Sequence, residues 1–430
     1  MRFVWAIVLV VGPFTSGHLW AQARGEDHWV VTWATAELLS RSVLPPPPAQ
    51  PVAPAEGANP RPVPVGSRGF QDQTVRMMVR ASIGGRRLRV KLENAFGNAP
   101  VEIGAAHIAL RGKDSAIVEG SDRALAFDGK PGCTLEPGVV LVSDPVDLAV
   151  NPLANLAVSL YFPGETGLPT SHATGLHDTY VKAGDTTAAG DMADAAVTHS
   201  YYWLAAIDVE APAAAGAIVA FGDSITDGAR STNESDHSWP ALLAARLAAK
   251  KETALIGVAN EGIGGNRVLR DGTGASSLAR LDRDVLSQSG VKWLMVLEGI
   301  NDIGHASTTP GENVTAEELI EAHRQIIDQA HAHGIQVIGC TLTPYEGAGY
   351  QRENGEATRE ALNQWIRTGG AYDAVVDFEA AARDPQNPKR IRPDFDPGDH
   401  LHPNDAGYQA MADAVDLSIF VAKPKARTRH

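Results

Sequence analysis

Four short polar clusters in this chain hold the residue types that nucleophilic acyl transfer requires. Gly222-Asp223-Ser224 stands directly after the apolar run Ala217–Phe221. Asn260-Glu261-Gly262-Ile263-Gly264-Gly265-Asn266 follows a second strand-like run, and Glu298-Gly299-Ile300-Asn301-Asp302 a third. Asp399-His400-Leu401-His402-Pro403-Asn404 precedes a final helical pattern. A serine oxygen is inert at its own pKa and needs a base. Histidine, near neutral in pKa, can take the proton, and a carboxylate can fix its tautomer. Gly265 would let a backbone N–H approach a substrate closely, and Asn301 offers a side-chain amide N–H. Each residue also has an ordinary use: Ser224 could cap a turn, Gly264-Gly265 could be only a turn, and Asn301 only a turn former. Their joint occurrence at successive strand ends points to a serine nucleophile. Asp399 lies three residues before His402, so the chain can turn back and let one orient the other. His400 is the competing base, but it adjoins Asp399 and could not be oriented by it in an extended segment.

Other candidates have plainer readings. His305 lies close to Asn301 but reads as a surface-loop histidine. Trp239 and Trp293 read as core. Tyr345, in the stretch Pro344–Gly355, either lines the pocket or packs inside. The chain has no G-x-S-x-G elbow, H-E-x-x-H, P-loop or dinucleotide fingerprint. Asp223, Asp227, Asp399 and His402 have no metal-ligand spacing. No cofactor and no metal are therefore expected.

The elements that must position these clusters alternate as strand and helix after Gly216. Ile218–Phe221, Ala254–Ala259, Trp293–Leu297, Ile335–Leu342 and Ala374–Phe378 are expected strands, which implies a doubly wound parallel sheet. In such sheets ligands bind outside the carboxyl ends of the strands. Thr315-Ala316-Glu317-Glu318 is a capping box that opens a helix with Leu319, Ile320, Ile326 and Ile327 on one face. Asn404 or Asp405 should cap the last helix, with Tyr408, Met411, Ala412, Val415 and Ile419 at helical spacing. From Gln73 to about Glu210 the pattern is instead the alternation of strands, after an opening strand near Trp29–Thr35. Val75, Met77 and Val79, then Leu88, Val90 and Leu92, flank Gly84-Gly85, which reads as a hairpin turn. An all-β, sandwich-like region results. Pro45 to Pro48, with later prolines, makes 44–64 an extended loop, and Ala211 to Gly216 a short linker.

The 430 residues are 44% hydrophobic and 20% charged, as in globular proteins. A net charge of −14 argues against a nucleic-acid partner. Arg2, the apolar run Phe3–Val11 and Ala21-Gln22-Ala23 read as a secretory signal peptide, too short for a membrane span. Secretion or periplasmic export is the expected localisation. Cys133 and Cys340 are expected to be two free, buried thiols.

Together the clusters resemble the SGNH or GDSL-type hydrolases, in that family's order, over roughly 216–422. The resemblance implies that Ser224 is the nucleophile, His402 the base and Asp399 its orienter. It also implies an oxyanion hole from the N–H groups of Ser224 and Gly265 and the Asn301 amide. The implied fold is a three-layer α/β/α hydrolase over 213–422; the residue patterns themselves place a signal peptide at 1–23, an all-β domain at 24–212 and a basic tail at 423–430. Leu297–Gly304, Trp29–Ala36 and the β region further resemble a bacterial arylesterase-like or acetylxylan-esterase-like subgroup. The expected substrate is a small-molecule or polysaccharide acyl ester, with carbohydrate acetyl groups foremost. The alternatives are a short-chain aryl or lipid esterase, a lysophospholipase, or a polysaccharide-binding protein with a residual hydrolase site.

Overall fold

The computed structural model describes residues 27–39, 65–306 and 308–421. The signal-peptide, Pro-rich-loop and basic-tail readings lie outside the described residues.

The apolar runs after Gly216 become five parallel strands in the order Ile256–Gly262, Gly216–Gly222, Val291–Leu297, Gln336–Cys340 and Ala374–Val376. Gly216–Gly222 is buried at every residue, as expected of a parallel strand covered on both faces. Helices pack in two sets. Trp239–Ala248 lies with Asp405–Ala414, which meets Phe378–Ala382; Ala316–Ala332 lies with Ser277–Leu281 and Glu353–Thr368. The capping box forms as the sequence predicts, with Thr315 and Glu318 exchanging bonds. Asn404 caps the last helix. In chain order Gly216–Gly222 is the first of these strands, Ile256–Gly262 the second and Val291–Leu297 the third; the chain reverses direction across the sheet at the first, with the second on one side and the third on the other. That reversal is the crevice where α/β sheets bind ligands.

Before it lies an antiparallel β-rich region of two main sheets. One holds His28–Ala34, Leu204–Ala211 and Gly85–Glu93; the other holds Thr179–Ala183, Gln73–Arg80, Asn155–Phe162 and Ala105–Leu110. Val75, Met77 and Val79 meet Leu88, Val90 and Leu92 in one apolar core. The expected Gly84-Gly85 hairpin is not formed. Gln73–Arg80 pairs with Asn155–Phe162 and Thr179–Ala183, whereas Gly85–Glu93 pairs with Leu204–Ala211. The two glycines carry the chain from one sheet to the other. A Cβ on Gly84 would stand 2.4 Å from the Val150 carbonyl and one on Gly85 2.8 Å from the Glu210 carbonyl, so close backbone approach, not a tight turn, explains them.

The β region and the α/β unit share one hydrophobic core. The Val31 N–H donates to the Ser289 carbonyl at 2.9 Å, and Ser82 Oγ, which donates to Thr32 O, accepts the Val258 N–H at 2.9 Å. Both cysteines are free; Cys340 is buried, but Cys133 is half-buried, because it sits on the short edge strand Cys133–Leu135. Among the described residues no helix is long and apolar enough to cross a membrane.

Candidate active site

The nucleophile candidate owes its position to two glycines. A Cβ on Gly222 would lie 2.2 Å from Thr226 Oγ1 and 2.5 Å from the Leu297 carbonyl. One on Gly262 would lie 2.2 Å from the Asp227 nitrogen. Only glycine lets the chain leave the first strand and fold a four-residue helix, Ser224–Asp227, against the end of the second. Asp223 caps that helix, its Oδ1 accepting the Ile225 N–H at 2.9 Å. Ser224 is the first helical residue.

Ser224 Oγ lies 2.7 Å from His402 Nε2, and His402 Nδ1 lies 2.9 Å from Asp399 Oδ2. Asp399 Oδ1 accepts the N–H groups of Leu401 and His402 at 3.1 and 3.0 Å, so the i to i+3 spacing closes a turn around the carboxylate. Burial pushes this carboxyl up, but the His402 N–H and ring and the Leu401 N–H outweigh it and hold it well below the usual carboxylate range. An ionised Asp399 fixes His402 with its Nδ1 proton toward the carboxylate and leaves Nε2 free to accept from a serine. His400 is turned elsewhere: at φ 59° its ring bonds Asp396 Oδ2 at 2.5 Å.

The two backbone donors named for the oxyanion hole are unengaged. Among the described residues neither the Ser224 nor the Gly265 N–H has an acceptor. The turn holding Gly265, at φ 76°, is tied to the first strand by the Ile263 N–H donating to the Gly222 carbonyl at 3.0 Å. Asn301 stands in the helix Ile300–Ala306. Its Nδ2 donates one proton to the Asn266 carbonyl at 2.9 Å, and its Oδ1 accepts from Tyr350 at 3.2 Å. The amide is thereby oriented and keeps a second N–H. His305 is exposed and lies edge-on to the Tyr350 ring. Tyr345 is fully buried and packs on Tyr350, so of its two readings the core one holds.

Beneath the site lies a cation that sequence reasoning missed. The Arg280 side chain is wholly buried. It donates to the Glu261 carbonyl at 2.7 Å, the Gly222 carbonyl at 2.9 Å, Asn266 Oδ1 at 2.9 Å and Asp284 at 3.0 Å. It also covers the Phe221 ring at 4.0 Å and reaches Glu298 at 3.5 Å. One guanidinium thus gathers the ends of two strands and the Gly265 turn. Burial drives the Asp223 and Glu298 carboxyls upward, and raises Asp302 to about 6 against the N–H groups of Val268 and Leu269. Tyr350 was equally unannounced; a lone tyrosine in a glycine-rich stretch carries no signal.

Among the described residues no group of three or more His, Cys, Asp or Glu side chains is placed to hold a metal ion.

Residues 220–410, the span that holds all these groups, match the family model of the GDSL-like lipase/acylhydrolase family. This part of the chain is a GDSL-like acylhydrolase domain. With it the chain is an ester hydrolase. Similar solved structures include a catalytic mutant of Axe2, an acetylxylan esterase from Geobacillus stearothermophilus (24% identity, 49% of this chain and 97% of that one, TM-score 0.38). LAE5, an alpha/beta hydrolase from the metagenome of Lake Arreo, is 22% identical over 48% of this chain and 95% of its own, at TM-score 0.38. A GDSL-like lipase from Bacteroides thetaiotaomicron is 18% identical over 47% and 87%, at TM-score 0.35. No curated protein matches this chain.

Proposed function

We propose that this GDSL-like hydrolase is an exported serine esterase that removes small acyl groups, with acetyl groups on polysaccharide as its substrate class. The observation that carries the catalytic part is the unbroken hydrogen-bond chain from Ser224 through His402 to Asp399. The export rests on the apolar leader at 1–23. The substrate class rests on the resemblance of Leu297–Gly304 and the β region to esterases of that kind.

In the proposed reaction Ser224 Oγ attacks the acyl carbonyl carbon while His402 Nε2 takes the serine proton. The carbonyl oxygen becomes an oxyanion and is met by the Ser224 and Gly265 N–H groups and the free Asn301 N–H. The tetrahedral species collapses; the C–O bond to the alcohol breaks, and His402 returns the proton to the departing oxygen. Water then repeats the attack on the acyl-serine with His402 again as base, releasing the acid and Ser224. Asp399 stays ionised throughout and stabilises the imidazolium.

The test is a fluorophosphonate label followed by turnover on p-nitrophenyl esters from acetate to octanoate and on acetylated xylan. The label should fall on Ser224, and Ser224→Ala and His402→Ala should each lose at least ~10³-fold in kcat while remaining folded. Labelling elsewhere refutes the assignment. Xylan binding without turnover of any ester would favour a polysaccharide-binding role.

A further inference from the structure

The segment Gly228–Ser238 leaves the Ser224 helix and crosses to the helix Trp239–Ala248. Three of its non-glycine residues lie in the left-handed region: Arg230 at φ 71°, Glu234 at 62° and Asp236 at 54°. Side chains with a Cβ resist that conformation, so it persists only where surrounding contacts impose it. The contacts are of two kinds.

One set reaches the β region. The Glu234 carboxylate accepts from Arg111 at 2.5 Å and from the Asp178 N–H, and the Glu234 N–H donates to the Leu176 carbonyl at 2.8 Å. Asp236 pairs with His177 at 2.9 Å and with Arg80 at 2.8 Å. The other set reaches the acid–base half of the site. Arg230 Nε donates at 2.9 Å to Asp399 Oδ2, the oxygen that also holds His402 Nδ1. Thr232 and His237 both bond Asp405, at the start of the helix that follows His402. Tyr408 donates to the Ala229 carbonyl at 2.7 Å.

We propose that Gly228–Ser238 is a strap by which the β region positions Asp399, with Arg230 the positioning residue that holds Oδ2 toward His402. This deepens the esterase reading and rests on it. Among the described residues Asp399 is otherwise held only by its own turn and by His402. The Arg230 side chain is 60% exposed, so its ion pair contributes little to stability in water. Its contribution is geometric: it fixes an oxygen whose displacement would turn the imidazole away from Ser224. Small misplacements of this kind cost turnover, not binding. The β region acquires a role in the reaction without touching the substrate.

Three variants of the full chain test this: Arg230→Ala, Arg230→Lys and Glu234→Ala, the last cutting the strap at its far end. On p-nitrophenyl acetate, Arg230→Ala should lower kcat about 10-fold or more and Glu234→Ala about 3-fold to 10-fold, with KM within about 2-fold. Arg230→Lys, which restores one donor, should recover kcat to within about 3-fold. The double variant Arg230→Ala with Glu234→Ala should be no worse than Arg230→Ala alone, since both act through one contact. The low-field proton resonance of His402 Nδ1 should shift or broaden in both alanine variants. Unchanged kcat in Arg230→Ala or Glu234→Ala, a loss confined to KM, or an unmoved resonance overturns the strap. Were the wild-type chain to turn over no ester, the esterase reading would fall, and the resonance would still decide whether the strap holds Asp399.

Discussion

Replacing Arg280 by methionine removes the buried cation under the site, and the cost follows from the bonds it makes. The strand-end carbonyls of Gly222 and Glu261 lose their guanidinium donors. Gly222 keeps the Ile263 N–H, so what each carbonyl loses is a hydrogen bond to a charged group, about 1.5–3 kcal/mol. The contact with the Phe221 ring adds roughly 1 kcal/mol. Asp284 keeps Arg283, which bonds it at 2.6 and 3.1 Å, so it does not become an uncompensated charge, and burial already pushes the Glu298 carboxyl upward. Methionine recovers roughly 1 kcal/mol of apolar packing. The net loss is about 4 kcal/mol, or about 8 °C in Tm at ~2 °C per kcal/mol for a unit of this size. Asn266 Oδ1 also loses one of its two donors, keeping only Ser277, and the Asn266 carbonyl is what orients Asn301. At a temperature where the variant is folded, kcat should therefore fall about 10-fold with KM little changed. Calorimetry and p-nitrophenyl acetate turnover read the two effects. A Tm within 2 °C of wild type would refute the account of Arg280 as the tie between strand ends.

The Asn301→Ala variant should lower kcat by about 10²–10³-fold at nearly constant KM, because its N–H matters most when charge develops; a rise in KM alone would make Asn301 a binding residue. Burial opposes a charge on His177, but its bond to Asp236 and the Glu234 carboxylate 3.6 Å away win and raise it to about 9. A histidine raised in the folded state contributes its full stability below about pH 6.5 and loses it as pH climbs through about 9. Urea midpoints at pH 6, 8 and 10 should thus show wild type exceeding His177→Asn by on the order of 3 kcal/mol at pH 6 and converging with it by pH 10; a gap that holds constant with pH would refute it. Residues 213–430 expressed alone should be poorly soluble, since the second-strand edge covered by Val31 and Ser82 would be bared; a soluble, fully active fragment that fails only on acetylated xylan would make the β region a carbohydrate-binding module.

The parallel sheet was legible because buried strands are written as continuous apolar runs closed by glycine, and Ile218–Phe221 and Trp293–Leu297 each fall inside the observed strands. The spacing of Asp399 and His402 foretold their contact, since three residues suffice to close a turn. The same local logic misread Gly84-Gly85. A glycine pair is the same in sequence whether it turns a hairpin or lets two backbones pass closely, and only the partners, at Val150 and Glu210, decide. Arg280 sits in Ser277–Leu281, where an arginine on a short helix reads as solvent-facing. Its burial follows from carbonyls on Gly222 and Glu261, distant in sequence. Arg76 escaped for the same reason. It lies on the outer face of its strand, yet it is fully buried under the carbonyls of Ser115, Thr187 and Ala189. Local pattern reports an element's period; it is silent on what later chain will cover the element.

The placement of His28–Ala34 bears on how the chain is made. Its hydrogen-bonding partner is Leu204–Ala211, and its Val31 N–H waits for Ser289. During synthesis this strand emerges long before the strand it pairs with, so Val30 and Val31 must remain without that strand partner while the intervening chain forms. Loop closure over so many residues is slow and is repaid only when both halves are present. Early and late chain are thereby bound to one cooperative event. Refolding of the whole protein should have a single slow phase that reports the docking of this strand, and the nascent β region should be the stage most prone to aggregation.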